Sequence, residues 1–174
     1  MKEQASIDAK KSKLGAAHKA APFLFLLQYV GMERFKVIPD VFLMLMKDGK
    51  VLLLRRANTG YADGLYSFVA GHAEEHEPMS VAMAREALEE GGITIKPKEL
   101  RHVVTMQRNQ GDHERVGFFF TADSWEGEIK NMEPDFCDDL SWFSLNELPP
   151  NMIDYIRVAI ECYKNGTRYL EFGF

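Results

Sequence analysis

Three glutamates within residues 86–90 carry the clearest chemical signal in the chain. Glu86, Glu89 and Glu90 are spaced at i, i+3 and i+4, directly before two glycines. On an α-helix, which turns by roughly 100° per residue, their side chains fall within an arc of about 100°. Like charges at this spacing destabilise a helix, and negative charge near the C-terminal end opposes the helix dipole. A bound Mg²⁺ or Mn²⁺ would offset both penalties, because these cations prefer oxygen ligands.

The residues around the glutamates predict the helix that would hold them. Pro78 is typical of a first helical turn, and Gly91 with Gly92 predicts the C-terminal end. We expect the face opposite the glutamates to pack on the protein while the glutamate face binds the cation. The residues predicted for that packing face are Val81, Ala84 and Leu88.

The glutamates belong to a longer pattern of fixed positions across residues 71–93. These positions are Gly71, Glu77, Arg85, Glu86, Glu89, Glu90, Gly92 and Ile93. The pattern resembles the signature of the Nudix hydrolases, with Ala87 where a bulkier apolar residue is often found. The resemblance covers roughly residues 33–174 and implies metal-dependent hydrolysis of a nucleoside diphosphate linked to another group, with Mg²⁺ or Mn²⁺.

The resemblance also implies an α/β/α sandwich with a mixed β-sheet and a loop–helix–loop catalytic motif. The order of the predicted elements agrees with this fold, because strands and helices are interspersed along the chain. Apolar runs and turn residues predict strands over 37–46, 51–56, 66–69, 100–107, 115–121 and 140–143. Helical spacing of apolar residues predicts a second helix over 151–163.

Within the motif, the resemblance implies a role for each charged residue. Glu89 and Glu90 are expected to be direct metal ligands. Glu86 is expected to be a ligand or the base that orients water. Arg85 is expected to hold the glutamate cluster by ion pairing, and Glu77 to fix the preceding loop onto the helix.

The glycine at the start of the motif is expected to shape the backbone. Gly71 would permit a tight turn that lets the backbone carbonyl of Ala70 reach the metal. Many members of the family have Pro-Gly-Gly here, whereas this chain has Val69-Ala70-Gly71. Gly92 is expected to have a structural role at the end of the motif.

A further acid is expected from a later loop. The segment 125–134 is similar to a MutT-like stretch that carries such an acid, and this similarity indicates Glu133 as a metal ligand. The rival candidates are Asp112, Glu114, Asp135, Asp138 and Asp139. Arg55 and Arg56 are candidates for substrate binding, and strand alternation predicts that at most one of them faces the cleft.

Composition limits the classes of protein that the chain can be. With 174 residues, 46% hydrophobic and 27% charged, it is expected to form one globular domain. The net charge of −5 argues against nonspecific binding of nucleic acid. Cys137 and Cys162 fit neither a zinc spacing nor a disulfide framework, which favours a reducing, cytoplasmic location.

The first 31 residues differ from the rest of the chain. A Lys- and Ala-rich stretch precedes the apolar run 23–30, which is too short to span a membrane and is followed by no clear signal-peptide cleavage site. Residues 1–31 could be an added helix or strand that packs on the domain, a leader of uncertain order, or sequence upstream of a true start at Met32. We favour the last two. The Nudix domain would then occupy residues 32–174, without membrane association.

The motif specifies the diphosphate but leaves its attachments open. A nucleoside triphosphate, oxidised or unmodified, yielding the monophosphate and pyrophosphate is the first expectation. ADP-ribose, nucleotide sugars and dinucleotides are alternatives, and a noncatalytic nucleotide-sensing module is an alternative of another class. The residues that decide are expected in 57–65, 108–114 and 151–155. A homodimer is a further expectation.

Overall fold

The computed structural model of the protein describes residues 35–174. The predicted leader, its apolar run and the alternative start at Met32 lie outside the described residues. Residues Val37–Phe174 form one compact unit. Among the described residues, no helix is both long enough and apolar enough to cross a membrane.

Nine strands and two α-helices make up the described part of the chain. The strands are β1 (Ile38–Leu43), β2 (Met46–Lys47), β3 (Lys50–Arg56), β4 (Tyr66–Ser67), β5 (Val69–His72), β6 (Arg101–Asn109), β7 (Glu114–Thr121), β8 (Cys137–Ser144) and β9 (Tyr169–Phe172). The helices are α1 (Met79–Gly91) and α2 (Asp154–Asn165), with a short 3-10 helix at Pro97–Glu99.

The strands form two sheets, one mixed and one antiparallel. The larger sheet has the order β5-β1-β7-β6-β9, in which β1 pairs with β7 and β6 with β9 in parallel, and the other pairs are antiparallel. In the smaller sheet, β3 pairs antiparallel with β2, β4 and β8. The mixed sheet expected from the sequence is therefore confirmed.

The predicted strand 37–46 divides between the two sheets. β1 ends at Leu43, and the amide of Met44 still donates to the carbonyl of Phe120 in the larger sheet. At Leu45 the chain changes partner, because its carbonyl accepts from Leu52 in the smaller sheet. An uninterrupted apolar run gives no sign of such a change. The short strand β9, at the edge of the larger sheet, was also not predicted.

Successive side chains along and just after β1 belong alternately to two hydrophobic cores, one under each helix. One core contains Val41, Leu43, Ala82, Met83 and Ala87, and so lies against α1. The other contains Phe42, Met44, Ile156, Ala159 and Ile160, and so lies against α2. Because successive side chains of a strand point to opposite faces, the helices cover opposite sides of the sheet. This arrangement is the expected α/β/α sandwich.

The packing face predicted for α1 was wrong. Val81 and Leu88 are 40% and 53% exposed, whereas Ala82, Met83 and Ala87 are buried together with Glu86. At roughly 100° per residue, Glu86 and Glu90 lie in the middle of this buried face. The helix therefore turns Glu86 and Glu90 towards the sheet, whereas Glu89 stays exposed.

Candidate active site

Arg85 joins the acidic residues of the motif into one network. Its guanidinium donates to both carboxylate oxygens of Glu77, from Nε at 3.1 Å and from Nη2 at 3.0 Å. Nη1 donates to Glu86 at 2.7 Å and to Glu89 at 2.9 Å. Nη2 also donates to the carbonyl of His72 in β5, at 3.0 Å. One arginine thus ties the loop before α1, the helix and the strand together.

The electrostatic surroundings of Glu77 and Glu86 shift their pKa values in opposite directions. The hydrogen bond from Arg85, with one from the amide of Glu74, holds the pKa of Glu77 below its ordinary value. Burial raises the pKa of Glu86, although Arg85 acts in the opposite direction. The carboxylates raise the pKa of Arg85 in turn, with Glu77 the largest contributor. Glu77 is therefore a stable anionic anchor, while Glu86 lies where ionisation is unfavourable.

Gly71 makes room for the Glu86 carboxylate. It lies within β5 opposite Val41, and not in the tight turn expected from the sequence. A Cβ at residue 71 would overlap the carboxylate of Glu86. The glycine is therefore required by the close approach of this side chain to the strand, and not by a left-handed backbone.

Replacing Gly71 by alanine is expected to displace the Glu86 carboxylate from β5. We expect a stability loss of about 1 to 3 kcal/mol, as for other overpacked sites, and a loss of activity larger than the stability loss explains. Gly91→Ala is the matched control, since a Cβ there would meet only ordinary contacts. Thermal unfolding and initial rates of both variants test this, and a fully active Gly71→Ala would contradict it.

Glu90 is the most strongly perturbed carboxyl group of the site. Its Oε2 accepts from the amide of Ala70 at 2.9 Å. Burial raises its pKa to about 8, and the neighbouring charges of Glu86 and Glu133 act in the same direction. The Ala70 amide and Arg56 only partly oppose this effect. Glu90 is thus a desolvated carboxyl group among like charges.

A cleft brings Glu90 together with residues from three other parts of the chain. Its wall includes Ala70 and Gly71 from β5, Arg56 from β3 and Glu133 from the loop before β8. The rivals of Glu133 have partners elsewhere: Asp138 with Arg55, Asp139 with Tyr66 and Ser141, Asp112 with His113, and Glu114 with Gln107. Asp135 is not in the wall of the cleft.

The two neighbouring arginines of β3 have different surroundings. Arg56 lines the cleft, and its side chain donates to the carbonyl of Tyr61 at 2.8 Å and the hydroxyl of Thr59 at 3.0 Å. Arg55 instead donates to Asp138 at 2.7 Å on the exposed side of β3. Only Arg56 therefore lies where it could contact a ligand next to Glu90.

The oxygen donors in and beside this cleft are of the chemical type that a divalent cation prefers, although their side chains do not converge. In the arrangement that residues 35–174 show, no three acidic, histidine or cysteine side chains converge on one point. Glu86 and Glu89 are turned to Arg85, and Glu90 to the Ala70 amide. Nevertheless, desolvation and mutual repulsion raise the pKa of both Glu86 and Glu90, with Glu133 contributing to each. A cation would relieve this clustering of negative charge.

A larger cavity of about 330 Å³ adjoins the cleft. The two share Arg56, Ala70, Gly71 and His72 in their walls. The other residues lining this cavity include Asp40, Tyr61, Arg108, Gln110, Arg115 and Tyr155. Most of these come from the three segments expected to decide the substrate, but neither Asp40 nor the individual contacts were predicted. Asp40 and Arg108 are 68 residues apart, and no sequence pattern connects them.

Comparison with known proteins agrees with this geometry. Residues 36–161 match the family model of the NUDIX domain, and the chain therefore belongs to the Nudix hydrolase family. Among its relatives is the NAD-capped RNA hydrolase NudC of Haemophilus influenzae (strain PittEE), 33% identical over 128 residues. The NAD-capped RNA hydrolase NudC of Pseudomonas entomophila is 30% identical over 115 residues.

The matched region is less than half of each related sequence but nearly all of the related structure. The aligned regions cover 70% and 66% of this chain but only 47% and 39% of the two relatives, so the chain spans less than half of their length. The crystal structure of a MutT NUDIX hydrolase from Burkholderia pseudomallei superposes with a TM-score of 0.67 at 25% identity. That match covers 72% of this chain and 97% of the other.

Proposed function

We propose that the protein hydrolyses a phosphoanhydride bond in a nucleoside diphosphate linked to another group, with a divalent cation bound in the glutamate cleft. The observation that carries this proposal is the position of Glu90. It is a desolvated carboxyl group beside Glu86 and Glu133, in a cleft that also contains Arg56. Carboxyl groups of this kind can bind a metal ion, and the nearby positive charge of Arg56 can bind the phosphates of a substrate.

Glu86, Glu89 and Glu90 are the proposed metal ligands from α1, with Glu133 and the Ala70 carbonyl as further ligands. Mg²⁺ is the proposed cation, with Mn²⁺ as a substitute, because all these donors are oxygens. When bound, the cation polarises the phosphoryl group and lowers the pKa of coordinated water.

The side chains themselves position the reactants and accept a proton. Arg85 holds Glu86 and Glu89 from one side, and the Ala70 amide orients Glu90. Arg56 offers a positive charge to the phosphates. Glu86, which Arg85 holds in place, is the proposed group that orients the attacking water or accepts its proton.

A nucleoside triphosphate is the first candidate substrate, giving the monophosphate and pyrophosphate. The names of the relatives favour NAD-capped RNA as a second candidate substrate. Its NAD cap contains a diphosphate that joins two nucleosides. The net charge predicts that the protein does not bind nucleic acid. A direct assay with a capped RNA tests that prediction. Homodimer formation and a cytoplasmic location also stay predictions.

A substrate panel with identification of the products tests the proposed function. Nucleoside triphosphates, ADP-ribose, a nucleotide sugar, NADH and NAD-capped RNA are each incubated with Mg²⁺ or Mn²⁺. We expect at least one to be cleaved within its phosphoanhydride linkage, with a nucleoside monophosphate among the products. Nucleotide binding without cleavage of any of them would favour the noncatalytic sensor instead.

The two arginines of β3 provide a matched pair for the phosphate contact. Arg56→Met is expected to reduce kcat/KM by about 10- to 100-fold, the usual scale for loss of a hydrogen bond to a charged group. Arg55→Met, whose partner Asp138 lies outside the cleft, is expected to leave kcat/KM within about twofold, as for a surface ion pair. Steady-state kinetics with the best substrate of the panel measure both, and equal losses would contradict the assignment.

A further inference from the structure

A buried arginine with few partners lines the larger cavity. The Arg108 side chain is 2% exposed, yet its hydrogen-bond acceptor among the described side chains is Asp40 alone. Its Nε is buried and has no hydrogen-bond partner within residues 35–174. The guanidinium carbon lies 4.1 Å from the centre of the Tyr155 ring and 5.1 Å from that of Phe42. The side chain is therefore rigidly held, with donor capacity left over.

The carboxylate of Asp40 does not serve Arg108 alone, because other side chains also contact its oxygens. Its other oxygen accepts from Arg115 at 2.7 Å, and the ring of His72 lies 3.4 Å from that same oxygen. The cavity wall thus contains Arg56, Arg108 and Arg115 against this one carboxylate. Because Asp40 is shared in this way, the Arg108 guanidinium at the cavity wall has N–H donors available for a ligand that brings an acceptor.

The cavity is placed to receive the group attached to the diphosphate. It shares Arg56 and three residues of β5 with the Glu90 cleft. Its wall contains the rings of Tyr155 and of Tyr61, which is 48% exposed. Aromatic rings beside a guanidinium suit a flat heterocycle, which can stack on them while its edge meets the donors.

We propose that Arg108 is a specificity-determining residue that selects a base with a carbonyl oxygen at its edge, such as a 6-oxopurine, over a base with an amino group there. This inference rests on the proposed function for the position of the diphosphate. A guanidinium only donates hydrogen bonds, so it matches a 6-oxo group, which accepts. A 6-amino group in the same position would place donor against donor.

Binding of inosine and adenosine monophosphates tests this, because the 6-position accepts a hydrogen bond in IMP and donates one in AMP, while N1 differs in the opposite sense. Calorimetry on the intact protein is expected to show IMP bound at least about tenfold more tightly than AMP. Arg108→Lys keeps the charge beside Asp40 but changes the donors, and is expected to reduce this ratio to below about threefold. Arg55→Lys, outside the cavity, should keep the full ratio.

Each outcome decides the inference. Equal binding of the two nucleotides, tighter binding of AMP, binding of neither at millimolar concentration, or an unchanged ratio in a folded Arg108→Lys would overturn it. If Arg108→Lys does not fold by circular dichroism, the wild-type ratio decides alone. A preference for IMP without hydrolysis of any substrate in the panel would contradict the proposed function while supporting the role of Arg108.

Discussion

Replacing Glu90 by glutamine is expected to lower kcat by about 10³-fold, with a comparable loss for Glu86→Gln. Glutamine keeps the size of the side chain but removes the negative charge and the capacity to accept a proton, and general-base catalysis alone contributes about 10² to 10⁴. Initial rates with saturating Mg²⁺ measure the effect. Near-wild-type rates in both variants would contradict the assignment of the cleft as the active site.

Loss of folding would not explain such a result for Glu90→Gln. The pKa of Glu90 is raised from 4.5 to about 8 by burial, so the fold favours its protonated form. Its contribution to stability is fully present below about pH 4.5 and is lost as the pH rises through about 8. Above pH 8, in EDTA, Glu90→Gln is therefore expected to unfold at a temperature no lower than wild type. A clearly lower Tm would show that the variant damages the fold.

Replacing Arg85 by methionine is expected to reduce both stability and activity. The change leaves Glu77, Glu86 and Glu89 close together without their shared cation. We expect a stability loss of about 1 to 2 kcal/mol, less than for a fully buried pair because Arg85 is partly exposed. We expect a loss in kcat of about 10²-fold, the scale seen when a residue that holds metal ligands in position is removed. Urea unfolding and initial rates measure the two effects.

Two further variants separate the role of geometry from that of charge. Arg85→Lys keeps the charge but cannot form the two-point contact with Glu77, so it should restore only part of the activity. Arg101→Met removes an exposed arginine paired with Asp123, and its stability should stay within about 0.5 kcal/mol of wild type. Full activity of Arg85→Met would show that the network does not position the glutamates.

The sequence predicted those parts of the site whose residues lie close together in the chain. The spacing of Glu86, Glu89 and Glu90, the adjacent Arg85 and the glycine end predicted one helix and its charged cluster. Helix geometry is local, so residue spacing alone fixes which side chains are neighbours. The mixed sheet and its two covering helices were implied by the family resemblance, and the order of the predicted strands and helices agreed with them.

The remaining features depend on contacts between distant segments. Asp40 and Arg108 meet although their strands are separated by β7, and no local pattern encodes that meeting. The role of Gly71 was also invisible, because it depends on how closely α1 approaches β5. The packing face of α1 was wrong for a related reason: Glu86 is buried on the side that packs, which apolar periodicity cannot predict.

The dependence of turnover on a divalent cation tests the central claim most directly. Wild-type protein is incubated with the best substrate of the panel, first in EDTA and then with increasing Mg²⁺, and the released nucleoside monophosphate is measured. We expect no turnover in EDTA, saturable recovery with Mg²⁺ in wild type, and a recovered rate about 10³-fold lower in Glu90→Gln. Turnover that persists in EDTA, or that Mg²⁺ restores equally in Glu90→Gln, would contradict this claim.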